Sequence, residues 1–353
     1  MLKKTNRSSN IELLRLFAML YIVVYHFILH SVIPTSPELD YLIRPIIGVL
    51  HIGVICFVLI SGYAGISFSL KNLVKLLILC SVYSTLIYLV ACLIKPDLFG
   101  FRSLPFSLLP LQWWYVRVYV GLYLLAPLIN IPLQTATRRR KLLYIALLGV
   151  VSCILGQFTG VLADGKNVVN FIFLYYVGHY IRHHLRVIPR RIVLIYLAYN
   201  VAVFFSVLAL NAYPTLRDQV FRSLFFSYNS PGLIISGILF FLCFLSFQFN
   251  SGFVNRVAAS VFPVYLLHEN KYLSHYLYDF VGSLKAYIQQ PALLMLVLVL
   301  LGVVVILACV LIDKVLSPVI SRIADAATHS RLFEKISDFS DPLLARIKKP
   351  EVQ

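Results

Sequence analysis

Charge is scarce in this chain. Only 13% of its 353 residues are charged, and the acids are scarcer than the bases, 14 against 31. A soluble domain carries about 25% charged residues. So few charges cannot cover a water-soluble globule of this length. Disorder is excluded more firmly, because 60% of the residues are hydrophobic. Paired cysteines are missing too. Cys56, Cys80, Cys92, Cys153, Cys243 and Cys309 stand singly in apolar stretches with no Cys-x-x-Cys. They read as small buried hydrophobes. No internal repeat and no His-Glu-x-x-His appears. No small-x-small cleavage site follows the first apolar run, which Glu12 and Arg15 interrupt. That run reads as a retained span rather than a signal peptide.

What is present is a series of long apolar runs. A membrane span needs about 20 mainly apolar residues in a row. Ten segments qualify: 11–31, 45–66, 73–94, 107–131, 142–162, 168–183, 192–211, 231–249, 257–280 and 291–313. The sixth is short and the ninth is polar for a span. The expected fold is therefore all-α, a polytopic bundle of about ten transmembrane helices in a multi-pass protein of the cell (cytoplasmic, inner) membrane. Residues 1–317 form the membrane domain. Residues 318–353 carry mixed charge, with Ile323, Leu332, Phe333, Ile336 and Phe339 at near-helical spacing. They read as a cytoplasmic tail, either amphipathic on the membrane surface or solvated and partly disordered.

Charge sets the orientation. With the N-terminus inside and the spans alternating, 21 of the 31 Lys and Arg fall on the cytoplasmic side and 8 outside, with Arg15 and Arg117 left in spans. The acids divide evenly. Both termini are thus expected in the cytoplasm by the positive-inside rule. The same asymmetry explains the net charge of +17 without nucleic acid as a partner.

Titratable groups at membrane depth are costly and face a cavity or a partner. In the first span Arg15 and His26 are eleven residues apart, about three helical turns, so they share one face about 16 Å apart. Glu12 is placed either to pair with Arg15 or to close a Ser9–Glu12 capping box. Arg15 either faces inward or snorkels. His26 and His30 stand at i and i+4, but no third ligand is near in sequence, and no metal is expected. His30 reads as interfacial. Trp113 and Trp114 fit an outer aromatic belt, with Arg117 about a turn deeper. His268 and Glu269 reach the outer third of the ninth candidate span, and His51 lies at similar depth. One polar cavity open to the outside is expected from His26, His51, Arg117, His268 and Glu269. On the cytoplasmic side Lys71, Lys75, Arg15 and the run Arg138–Lys141 form a positive rim suited to a phosphorylated molecule, although topology alone also produces such a rim.

Four stretches resemble the family 3 membrane acyltransferases, which modify polysaccharides and other envelope molecules. Asn10-Ile-Glu-Leu-Leu-Arg15, continuing to Tyr25-His26-Phe27, resembles their first helix with its Arg-x10-His. Ile52 to Tyr63, ending Phe57-Val-Leu-Ile-Ser61-Gly62-Tyr63, resembles the second. Gln112-Trp113-Trp114-Tyr115-Val-Arg117, with Tyr123 and Pro127 after it, resembles a third segment, and Ser260 to His268 a late Tyr-x-x-His segment. The matches run in family order over about residues 8–270. Where the family often has Arg-x-x-Arg after the second helix, this chain has Lys71 and Lys75, which keep the charge without the guanidinium fork.

The resemblance implies an O-acyltransferase, an O-acetyltransferase in the first instance, without an appended SGNH domain. It would take acyl-CoA (acetyl-CoA) as donor substrate, with no bound cofactor. Its acceptor would be a glycan or lipid-linked saccharide, and membrane lipid would surround it. His26 and Arg15 are the expected catalytic pair. Arg117, His268, Glu269, Trp113 and Trp114 are expected at the acceptor or oxyanion site, and Lys71, Lys75 and Ser61 at the donor. The alternative is a transporter or flippase for a polysaccharide or lipid-linked sugar, using the same cavity without chemistry. Transporters often show repeated halves, which this sequence does not.

Overall fold

The computed structural model describes residues 8–33, 40–100, 109–110, 112–160, 162–285, 287–331 and 333–338. Expectations resting on Lys3, Lys4, Arg7, Arg102, Leu332 and residues 339–353 fall outside that set. Every regular element among the described residues is helical. In lipid a backbone must satisfy its own hydrogen bonds, and a helix does so within one segment.

In chain order the helices are α1 Ser9–Phe27, α2 Asp40–Leu50, α3 Gly53–Ala64, α4 Leu70–Ile94, α5 Trp114–Thr135, α6 Arg138–Gly149, α7 Val168–His184, α8 Ile192–Ala209, α9 Pro214–Phe221, α10 Pro231–Leu245, α11 Gly252–Ala258, α12 Val261–His268, α13 Ser274–Lys285 and α14 Pro291–Thr328. A wide π turn, Ile28–Val32, continues α1, and a second, Val150–Leu155, continues α6 into Gly156–Thr159. Pro231 and Pro291 open their helices at the first position, where no N–H is required.

Seven helical stretches among the described residues are long and apolar enough to cross a membrane: Ser9–Val32, Ile43–Ala64, Leu70–Ile94, Trp114–Thr135, Ile192–Ala209, Leu224–Leu245 and Pro291–Thr328. The chain is thus a multi-spanning helical protein. Of the ten expected spans, 142–162 and 168–183 are helical but not among these seven. The segment 257–280 is not one helix at all. It breaks after His268 into α12 and α13, because Glu269, Asn270 and Lys271 interrupt the apolar run. The expected boundary at 317 also moves. α14 runs on through Pro318 to Thr328 without a break. Its 38 residues measure about 57 Å, well beyond the roughly 30 Å of a bilayer core, so the first part of the expected tail is the protruding end of this helix.

α1 lies at the centre and packs on α3, α10, α11, α12 and α14. Its first residues are pinned by hydrogen bonds. Ser9 Oγ donates to Asn255 Oδ1 at 2.9 Å and accepts from the Ser251 amide. Asn10 Nδ2 donates to the carbonyls of Phe244 and Phe247, satisfying the exposed end of α10. The capping box does not form. The N-cap is Ser8, which makes no side-chain cap bond, and Glu12 pairs with Arg15 at 3.5 Å instead.

α3 and α7 cross at backbone contact. A Cβ on Gly62 would stand 2.1 Å from the Tyr175 carbonyl oxygen, and one on Gly178 would stand 2.3 Å from the Leu59 oxygen. Small residues at such crossings let helices approach without the water-driven force that acts in soluble cores. Alanine at either position is expected to destabilise the bundle by about 1–3 kcal/mol, read as a lower melting temperature of the purified protein. Gly252, where an added Cβ meets nothing within 4 Å, is the control and should tolerate alanine.

Candidate active site

One cavity of about 290 Å³ opens between α1, α3, α5 and α12, and both Arg15 and His26 line it. Helical periodicity puts them on one face, and the fold turns that face inward. Arg15 does not snorkel away: its side chain is 34% exposed and leans on the buried Glu12. The walls between are aromatic, with Tyr25, Trp114, Tyr115, Tyr119, Tyr228 and Tyr265 among them. Ser61 also lines the cavity, its Oγ donating to the Phe57 carbonyl at 3.0 Å.

At the far end His26 meets the break between α12 and α13. Its Nδ1 lies 3.0 Å from Glu269 Oε2 and 3.2 Å from His268 Nε2. The Tyr278 hydroxyl donates to the same Oε2 at 2.6 Å. His268 Nδ1 lies 2.8 Å from the Val264 carbonyl oxygen. These contacts settle the tautomers. A carbonyl only accepts, so His268 carries its proton on Nδ1 and turns the Nε2 lone pair to His26. The carboxylate also accepts. Both neighbours of His26 Nδ1 therefore call for a proton there, so the lone pair of the neutral ring is on Nε2. Among the described residues no protein group occupies that nitrogen.

The site is braced from behind. The π turn that follows α1 packs on α13, with Ser31 Oγ donating to the Tyr278 carbonyl at 2.9 Å. His30 stacks on the Tyr278 ring at 4.8 Å and does not line the cavity. π turns often mark functional positions because they re-aim a side chain without breaking the helix. His51 does line the cavity, buried, stacked 4.3 Å from Tyr25 and tilted 4.2 Å from Tyr228. His26, His268 and Glu269 also place three ligand-type atoms within 4.8 Å of one another, a spacing a metal ion could use. The hydrogen bonds account for that spacing, with the partners more than 240 residues apart in sequence.

Several expected residues stand elsewhere. Arg117 is exposed and does not reach the cavity, because it follows the lining residues Trp114 and Tyr115 onto the other face of α5. Trp113 is buried outside the cavity, its indole N–H without a partner among the described residues. Trp114 is the member of the pair that lines it, with Lys166 Nζ 5.5 Å from its ring centre. Lys71 and Lys75 are already engaged with the end of α14. Lys75 pairs with Asp325 at 2.6 Å, and Lys71 Nζ lies 3.2 Å from His329 Nε2. Tyr278 escaped the sequence reading. Its one signal was a tyrosine nine residues after Glu269, which nothing in a broken helix ties to a partner.

A family model described as an acyltransferase domain matches residues 8–314. No curated protein and no solved structure matches the chain.

Proposed function

Because the chain belongs to the family 3 acyltransferases and is a multi-spanning membrane acyltransferase, we propose that it moves an acetyl group from cytoplasmic acyl-CoA to a hydroxyl of a glycan on the outer side of the cell membrane. The observation that carries this reading is the cavity that Arg15 and His26 both line, with no protein group on His26 Nε2 among the described residues. A thioester and a hydroxyl that approach from opposite ends meet at the imidazole.

The acceptor hydroxyl attacks the thioester carbonyl as His26 Nε2 removes its proton. Glu269, on Nδ1, orients the ring and stabilises the imidazolium that forms, the role of the aspartate in serine-hydrolase triads. The tetrahedral intermediate then collapses. The C–S bond breaks, the CoA thiolate leaves, and the proton on His26 passes to sulfur. The tyrosine and tryptophan rings exclude bulk water and offer flat apolar faces to a pantetheine arm or a sugar ring.

Purified protein given radiolabelled acetyl-CoA and candidate glycans should label the glycan. Failure to label any glycan, combined with glycan movement across a vesicle membrane, would make the protein a transporter instead. Arg15→Lys reports on the other end of the cavity. A forked contact to the donor predicts a rise in KM for acetyl-CoA of about tenfold, because lysine keeps the charge but loses the planar pair of donors. An unchanged KM would assign Arg15 to its ion pair with Glu12 alone.

A further inference from the structure

No Asp or Glu occurs between Asp97 and Asp164, or between Asp164 and Asp218. Those two stretches nonetheless hold Arg138, Arg139, Arg140 and Lys141 at the start of α6, and Arg182, His183 and His184 at the end of α7. The fold brings the two ends together. Arg138 Nε donates to the Tyr180 hydroxyl at 3.0 Å. Arg182 donates to the Tyr63 hydroxyl at 3.1 Å and lies over that ring at 4.9 Å. The His179 and His183 rings are 4.2 Å apart, and His184 packs 4.6 Å from Tyr180.

This arrangement is unfavourable as it stands. The first turn of a helix carries free N–H groups and a partial positive charge, so it favours acids. α6 has four cations there and no acid. Lys141 is only 9% exposed, and no carboxylate faces it among the described residues. His184 Nε2 and His179 Nδ1 are shut off from solvent without a hydrogen-bond partner among the described residues. The positive-inside rule accounts for exposed cations such as Arg139. It does not account for a lysine buried along most of its length beside two imidazole nitrogens that no described group satisfies. Such a set is completed by an anion with several oxygens.

Its position says which anion. Tyr63, which holds Arg182, lies two residues along α3 from Ser61, a wall of the cavity that reaches His26. We propose that the start of α6 and the end of α7 form the subsite for the phosphates of the nucleotide end of the donor, with Lys141, Arg138 and Arg182 as its cations and His184 as a hydrogen-bond donor. This rests on the reading of acyl-CoA as donor. It replaces Lys71 and Lys75 in that role, since Asp325 and His329 already occupy them.

The test uses the full chain in nanodiscs of neutral phosphatidylcholine, with CoA, adenosine 3′,5′-bisphosphate and pantetheine as probes. Lys141→Gln and Arg182→Gln should each weaken CoA and the bisphosphate by about tenfold or more, the scale of one lost charge-assisted hydrogen bond. KM for acetyl-CoA should rise in step, with turnover of acetyl-pantetheine unchanged. Lys141→Arg should restore CoA binding, which excludes misfolding as the cause. Lys71→Gln and Lys75→Gln should bind CoA within about twofold of the parent, as exposed pairs contribute little. Unchanged CoA affinity in Lys141→Gln and Arg182→Gln, in a parent protein that does use acetyl-CoA, overturns the subsite and leaves the acyltransferase reading intact. A parent that binds neither CoA nor the bisphosphate overturns both. Displacement of CoA by phosphatidylglycerol added to the nanodiscs, with the bisphosphate inert, assigns the cations to lipid headgroups and overturns the donor subsite alone.

Discussion

His26→Ala is expected to abolish acyl transfer while leaving a folded protein in the membrane. A general base contributes about 10²–10⁴-fold. The neighbouring His268 cannot substitute, because its Nδ1 is on the Val264 carbonyl and its Nε2 on His26. The side chain sits at the end of α1 and is partly exposed to the cavity, so its loss leaves a larger cavity rather than a collapsed core. His30→Ala is the matched control, one turn on. It loses a stacking contact with Tyr278 and should retain most of the activity. Initial rates with acetyl-CoA and an accepting glycan, normalised to folded protein by gel filtration, decide the matter. Near-normal rates for His26→Ala would remove it from the mechanism.

Glu269→Gln is the second large effect. The side chain keeps its shape but gains an amide that can donate. Tyr278 and His26 Nδ1 meet the same oxygen, Oε2, so the amide oxygen keeps both contacts while the negative charge beside the ring is gone. The imidazolium that forms during transfer then loses its counter-charge. In serine proteases the corresponding aspartate-to-asparagine change costs about 10⁴-fold. The loss here should be smaller, about 10²-fold, because His268 Nε2 still accepts from His26 Nδ1 at 3.2 Å. The drop should appear in kcat, with KM for acetyl-CoA unchanged, since Glu269 does not line the donor path. Glu269→Asp should recover part of it. A rise in KM with kcat intact would make Glu269 part of the acceptor site rather than the group that orients the base.

Much of this was readable in the residues before any coordinates. Scarcity of charge excluded a soluble globule, and apolar runs about 20 long required helices, since only a helix or a closed barrel satisfies a backbone in lipid. The eleven-residue spacing of Arg15 and His26 put them on one face, because helical geometry is local. The ninth candidate span was a different matter. Hydropathy averages over a window and cannot see that Glu269, Asn270 and Lys271 end α12 and let α13 start in a new direction. Arg117 shows the same limit. Depth along a helix follows from counting residues, but which way its face turns depends on the neighbours, and α5 presents Trp114 and Tyr115 to the cavity instead.

The sequence by itself determined that this is a multi-spanning helical protein with Arg15 and His26 on one helix face. It did so through composition and short-range periodicity, which act within a single segment. Only the tertiary structure decided what those groups meet. Glu269 and His268 reach His26 across more than 240 residues. Lys75 is spent on Asp325 of a helix that runs past the membrane, and Lys141 is left buried with no carboxylate partner among the described residues. Each of these depends on which helices pack together. That is set by contacts such as Gly62 on the Tyr175 backbone, long-range packing that no local pattern in the chain encodes.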